Sequence, residues 1–141
     1  MKSYVLVAVQ FITAIVILHP VPVAASSMLR VVQGCALALA VWAIASIRIV
    51  NFNIVPDVKR GAALVTRGPY RIVRHPMYAA LLIYTLAQTV DHPTWTHGFA
   101  WAVLFVDLVL KLKYEEQFLD ERFSEYAAYR TRTKRLVPKL W

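Results

Sequence analysis

The residues best suited to chemistry lie in segment 64–78 (LVTRGPYRIVRHPMY) and in the adjacent pair Glu115 and Glu116. The segment combines guanidinium, imidazole and phenol groups, which can hold a carboxylate and stack an aromatic base. These groups belong to Tyr70, Arg71, Arg74, His75 and Tyr78. A glutamate carboxylate can accept hydrogen bonds from a ribose diol or from an ammonium group. The two elements together indicate a site for a small polar ligand.

The same residues also have an interpretation without a ligand. Basic and aromatic side chains beside membrane spans commonly anchor lipid headgroups. An i to i+4 ion pair between Lys111 and Glu115 would account for the nearest glutamate. On residue types alone, both interpretations stay open.

Asp107 is a further candidate because it is ionisable and lies inside an apolar stretch. Such a residue is by default functional, although pairing with Lys111 one turn later is the alternative. His92 and His97 have no ligand spacing typical of a metal site, and we predict no metal. The chain contains no phosphate-binding glycine loop or dinucleotide fingerprint.

The elements that position these residues are predicted to be membrane helices. Of 141 residues, 59% are apolar and the mean hydropathy is +0.52, which is typical of a membrane protein. We expect one all-α, membrane-embedded domain over residues 1–141. Each predicted span is near the ~20 residues that cross a bilayer, although the third is short. The four spans are residues 3–19, 28–50, 76–91 and 95–113, the last two forming a tight hairpin.

Segment 51–75 is predicted to fold back over the bundle because it is interrupted by proline and glycine. Gly68-Pro69 marks a turn, and His75-Pro76 marks the start of the third helix. Backbone N–H groups at that start could face an anion. The tail 114–141 is predicted to hold an amphipathic helix, with the helical pattern running over 111–130.

The basic residues predict an orientation. Six of the sixteen lie between Arg48 and Arg74, and eight lie from Lys111 onward. The positive-inside rule then places both termini in the cytoplasm, in the inner membrane if the source is bacterial. The net charge of +8 reflects this topology and attraction to membrane lipid, and it does not indicate a nucleic-acid partner. As an alternative, the first helix followed by Val23-Ala24-Ala25 also fits a cleavable signal peptide.

The order of these residues resembles a known family. Segment 64–78, the glutamate pair and the closing Arg135-Leu136-Val137-Pro138 resemble the isoprenylcysteine carboxyl methyltransferase and phospholipid N-methyltransferase superfamily of integral membrane methyltransferases. The resemblance covers residues 64–138, about half of the chain. Many members have glycine where this chain has Ala80, a small departure at a helix contact.

The resemblance implies an S-adenosylmethionine-dependent methyltransferase with a lipophilic acceptor. It implies a pocket between the third and fourth helices, the preceding loop and the C-terminal segment. The implied cofactor-binding residues are Tyr70, Arg74, His75, Pro76, Tyr78, Glu115 and Glu116. The catalytic residues are not identified, and the candidates are Arg74, His75, Glu116 and Arg135.

Several acceptors stay open: an isoprenylcysteine carboxylate, a phospholipid amine, a thiol or another hydrophobic small molecule. A function of another class is also open, a non-catalytic four-helix membrane adaptor that binds anionic lipid or a partner protein. The adaptor hypothesis treats Arg67, Arg71 and Arg74 as interchangeable charges. A family member that binds the cofactor without turnover is the third possibility.

Overall fold

The computed structural model describes residues 2–19, 23–47 and 64–138, and within them the chain is helical. The predicted all-α class is therefore confirmed for this part of the chain. Most of the predicted connection, residues 51–63, lies outside the described residues, as do 48–50 and 139–141. The helices are α1 (Lys2–Leu18), α2 (Ser27–Ser46), α3 (Pro76–Asp91), α4 (Trp95–Arg122) and α5 (Tyr126–Arg132), with a 3₁₀ turn over Gly68–Arg71.

The hairpin between α3 and α4 is confirmed. Pro76 occupies the first helical position of α3, where its missing N–H costs no intrahelical bond. After α3, only residues 92–94 precede α4, and the Thr94 side chain accepts from the N–H of His97 at 3.1 Å. This cap satisfies one of the free donors at the start of α4. Proline at one start and threonine at the other therefore fix both helix boundaries.

The core lies between α1, α3 and α4. α1 packs along α4, and α2 packs along α3 on the other side of the bundle. The buried core is formed by aliphatic side chains of these helices and of the C-terminal segment. They are Ile17, Ala79, Leu82, Ala100, Leu104, Leu108, Leu112 and Leu136. Because Leu136 belongs to this core, the segment after α5 is held against the bundle.

The outer faces of the helices are apolar, as expected of a protein in contact with lipid. Phe11 on α1, Leu37 on α2 and Val106 on α4 are each more than half exposed. Among the described helices, α2 and α4 are long and apolar enough to cross a membrane, and α1 is apolar but shorter. The four-span topology stays a prediction, as does a single domain over residues 1–141.

The predicted boundary at 113 is wrong, because α4 continues without a break to Arg122. Residues 114–122 contain neither proline nor glycine, so nothing in them stops helix propagation. The predicted helical pattern over 111–130 is instead divided at Phe123, and the separate α5 begins at Tyr126. Glu115 and Glu116 consequently lie on a charged extension of α4, beyond its apolar part that ends at Leu112.

Candidate active site

The site begins with a short parallel pairing between the segment before α3 and the segment after α5. The N–H of Arg74 donates to the carbonyl of Lys134 at 2.7 Å, and the N–H of His75 donates to the carbonyl of Arg135 at 3.0 Å. The N–H of Lys134 donates to the carbonyl of Ile72 at 3.3 Å. This pairing brings Arg74, His75 and Arg135 together. It also occupies the His75 N–H, one of the donors predicted to face an anion.

Glu116 is the centre of the site. Its Oε1 is 2.8 Å from Arg74 Nε and 3.3 Å from His75 Nε2, and its Oε2 is 3.0 Å from Arg135 Nε. The side chains of Arg74, His75 and Glu116 are at most 7% exposed, whereas that of Arg135 is 30% exposed. We call these four residues the Glu116 network. They include all four catalytic candidates that the resemblance implied.

Glu115 extends the network to a less buried position. Its Oε2 accepts from the Tyr78 hydroxyl at 3.2 Å and lies 3.6 Å from His75 Nδ1. The His75 and Tyr78 rings are stacked, with centroids 5.5 Å apart. The Glu115 side chain is 32% exposed, so this carboxylate remains accessible to a ligand. The alternative Lys111–Glu115 ion pair is not formed among the described residues. Lys111 Nζ donates to the Gln10 amide oxygen instead.

Tyr70 lies at the edge of the same cluster. Its backbone carbonyl accepts from the Tyr129 hydroxyl at 2.7 Å, which joins the 3₁₀ turn to α5. Burial, together with the nearby charge of Glu115, raises the pKa of the Tyr70 hydroxyl. Since a raised pKa keeps the phenol protonated, Tyr70 can act as a hydrogen-bond donor over the physiological pH range.

The turn that carries Tyr70 is anchored to the end of α2. Gly68 has a φ of +59°, and a Cβ at this position would lie 2.1 Å from Ser46 Oγ. Arg67 Nε donates to the carbonyl of Ser46 at 3.0 Å. Only glycine combines this backbone conformation with such a close approach. The Gly68-Pro69 turn predicted from the sequence is confirmed, and its function is to seat the loop on α2.

The charges in the site stabilise one another. Burial by itself disfavours the charged imidazole, but hydrogen bonds to Glu115 and Glu116 outweigh it and raise the pKa of His75. Burial likewise acts against the Glu116 carboxylate, but hydrogen bonds from His75 and Arg74 lower its pKa to about 2. Both groups therefore carry charge in the folded protein at moderately acidic pH.

A cleft of about 640 Å³ lies beside the network, a size typical of small-molecule sites. It is lined by the loop before α3 and by α5 with its flanking residues. The lining residues are Leu64, Thr66, Arg71, Glu125, Ala128, Tyr129, Arg132 and Thr133. Thr133 connects cleft and network, because its carbonyl accepts from Arg74 Nη1. The loop and the C-terminal segment thus border a cleft as predicted, while the glutamate pair and α3 do not contribute to its lining.

Two parts of the site were missed by sequence reasoning. The C-terminal segment holds Arg74 through backbone carbonyls of Arg130 and Thr133, which leave no signature in residue types. Tyr126 falls within the predicted tail helix, and the residue pattern gives it no role in the site. Its side chain is fully buried, and its hydroxyl has no hydrogen-bond partner among the described residues.

These features define a helical bundle with a buried charged site at one end and, among its described helices, two that are long and apolar enough to cross a membrane. A family model for phospholipid methyltransferases matches residues 23–126. The chain therefore belongs to the phospholipid methyltransferase family, within the superfamily that the sequence motif indicated.

Among curated proteins, the chain is similar to the cobalt-zinc-cadmium resistance protein CzcN of Cupriavidus metallidurans. The two are 33% identical over 86 residues, which make up 58% of this chain and 38% of the relative. The matched region thus spans well under two thirds of that protein. Its name refers to metal resistance and names no methyl acceptor.

Proposed function

We propose that this protein transfers a methyl group from S-adenosylmethionine to a lipophilic acceptor at the cytoplasmic face of the membrane. The observation that carries the proposal is the Glu116 network, which unites the candidate residues of a chain that belongs to a methyltransferase family. The cytoplasmic location rests on the clustering of basic residues before α3 and from Lys111 onward.

The donor groups of the site fit the cofactor. S-adenosylmethionine presents a carboxylate, an ammonium group, a ribose diol and an aromatic base. Arg135 and Glu115, each about one-third exposed, offer a guanidinium and a carboxylate for these groups. The hydroxyl of buried Tyr126, which has no hydrogen-bond partner within residues 2–19, 23–47 and 64–138, offers a further polar contact beside the network. The half-buried Tyr70 and Tyr78 rings provide aromatic surface, and the neighbouring cleft provides volume.

The residues of this chain would chiefly bind and orient. When bound, S-adenosylmethionine supplies a methyl group that its positively charged sulfur activates for displacement. Such a reaction needs alignment and exclusion of water more than acid or base catalysis. Buried Arg74, His75 and Glu116 form a rigid frame for this purpose, because each is held by at least two polar contacts. None of these three residues is assigned as a general base.

Calorimetric titration of the purified protein with S-adenosylhomocysteine tests the proposal. We expect the wild type to bind, and we expect Glu115→Gln to weaken binding about tenfold, which corresponds to one lost charge-assisted hydrogen bond. Glu115 is the best position because it is accessible and because its polar contacts, to Tyr78 and His75, lie outside the Glu116 carboxylate itself. Glu121 is an exposed residue on the same helix, so Glu121→Gln is the matched control and should bind as the wild type does. Absence of binding by well-folded wild-type protein would overturn the proposal.

A further inference from the structure

Asp107 is buried in the middle of α4 and accepts no hydrogen bond from the part of the chain that the structure describes. The residue is 4% exposed, and neither carboxylate oxygen has a hydrogen-bond partner among the described residues. Buried polar groups in folded proteins are nearly always hydrogen-bonded, and an ionisable group inside a membrane helix is especially costly. Two unpaired acceptor oxygens at this depth therefore indicate that a ligand supplies the missing donors.

The most obvious donor, Lys111, is directed elsewhere. It lies one turn after Asp107 on the same face, and its Nζ donates to the Gln10 amide oxygen on α1. The same ammonium lies 5.6 Å from the centre of the Tyr78 ring. The positive charge of Lys111 thus lies close enough to offset the charge of Asp107, but the hydrogen bond of Lys111 is made to α1. The Asp107 oxygens are left to accept from another molecule.

Asp107 is connected with the Glu116 network by a row of polar groups. The order along one face of α4 is Asp107, Lys111 and Glu115, at four-residue intervals, with Asp107 and Lys111 buried and Glu115 partly exposed. Tyr78 on α3 lies beside this row, with Lys111 over its ring and its hydroxyl on Glu115. Eight residues of helix place Asp107 roughly 12 Å from Glu115 along the axis. Asp107 consequently lies within the apolar part of α4, where a molecule entering from the bilayer would arrive.

We propose that Asp107 binds the polar head of the methyl acceptor and selects heads that donate hydrogen bonds. This inference rests on the proposed methyltransferase function. The aspartate oxygens accept, so a protonated amine or a hydroxyl satisfies them. When the nitrogen or oxygen of such a head takes the methyl group, its proton passes to the Asp107 carboxylate and S-adenosylhomocysteine leaves. An ionised carboxylate brings no donor and adds a second negative charge, which is unfavourable in an apolar surrounding. Leu104 and Leu108, both fully buried beside Asp107, supply that apolar surrounding. Of the open acceptors, the site therefore disfavours a carboxylate.

The test compares amphiphiles that share one alkyl chain and differ in the head: dodecylamine, dodecanol and dodecanoate. Binding to the purified protein saturated with S-adenosylhomocysteine is measured by calorimetry at neutral pH. We expect the wild type to bind the amine and the alcohol at least about tenfold more tightly than the carboxylate. Asp107→Asn should reduce this preference at least about tenfold, while Asp120→Asn, an exposed change on the same helix, should leave it intact.

The outcomes separate this inference from the proposed function. A wild type that binds S-adenosylhomocysteine but shows no head-group preference, or a preference that Asp107→Asn leaves unchanged, overturns the role of Asp107 alone. A folded wild type that does not bind S-adenosylhomocysteine overturns the methyltransferase proposal and the acceptor role with it. Asp107→Leu, which removes the unpaired oxygens, is the second variant if Asp107→Asn does not fold. It should also abolish the preference.

Discussion

Arg74 and Glu116 are 42 positions apart in the chain, yet their side chains form a buried ion pair of 2.8 Å. The same guanidinium also donates to the carbonyls of Arg130 and Thr133. One side chain therefore ties the charged end of α4 to the segment that follows α5. Because a guanidinium has several donors in a fixed plane, it can serve both partners at once.

Replacement of Arg74 by lysine should destabilise the protein although the charge is kept. A lysine ammonium cannot reproduce the planar contacts to Glu116 and to the two carbonyls, so we expect a loss of about 2 kcal/mol in the free energy of unfolding. The melting temperature in detergent is the measurement. Arg71→Lys, on an exposed neighbour, should change stability by less than about 0.5 kcal/mol. If both changes alter the melting temperature equally little, the adaptor hypothesis is favoured instead.

Gly68→Ala should destabilise the loop that carries Tyr70. Alanine at a φ of +59° costs about 1–2 kcal/mol, and its Cβ would meet Ser46 Oγ at 2.1 Å. Gly34→Ala is the matched control, since a Cβ there meets nothing within 4 Å and alanine favours a helix by about 1 kcal/mol. Thermal unfolding should show a lower midpoint for the first variant and no decrease for the second. A Gly68→Ala protein as stable as the wild type would contradict the docking of the loop on α2.

The charge on His75 should make stability depend on pH. Because the pKa of His75 is raised in the folded protein, its contribution is complete below the ordinary value of 6.5 and disappears as pH rises through the raised pKa. The difference in melting temperature between wild type and His75→Gln should therefore shrink from acidic to alkaline pH. His19→Gln, on an exposed histidine, should show no comparable trend. A constant difference for His75→Gln would exclude a charged imidazole in the network.

Loss of the hydroxyl should affect protein stability differently at the two tyrosines of α5. Tyr126→Phe removes a buried hydroxyl without a partner among the described residues, so it should raise stability or leave it unchanged. Tyr129→Phe removes the 2.7 Å bond to the Tyr70 carbonyl and should lower the free energy of unfolding by about 1 kcal/mol. Denaturant titration of the two ligand-free variants compares them directly. A larger loss of stability for Tyr126→Phe than for Tyr129→Phe would contradict the finding that the Tyr126 hydroxyl has no hydrogen-bond partner among the described residues.

The features that the sequence predicted correctly depend on local rules. The start of α3 at Pro76 follows from the restricted φ of proline, and the hairpin follows from the polar residues between two apolar runs. The turn at Gly68 follows from the conformational freedom of glycine. The boundary at 113 failed because a change from apolar to charged residues alters the surroundings of a helix without ending it.

The sequence by itself determined which residues are candidates for the site, since their order along the chain carries the family resemblance. Only the tertiary structure decided how they are arranged: Glu116 accepts from three basic side chains, Glu115 stays accessible, and buried Asp107 has no hydrogen-bond partner among the described residues. Local rules act over a few residues, within the reach of backbone hydrogen bonds and single helix turns. The partners of Glu116 and Lys111 come from distant segments, and their approach depends on how α1, α4 and the C-terminal segment pack around one core.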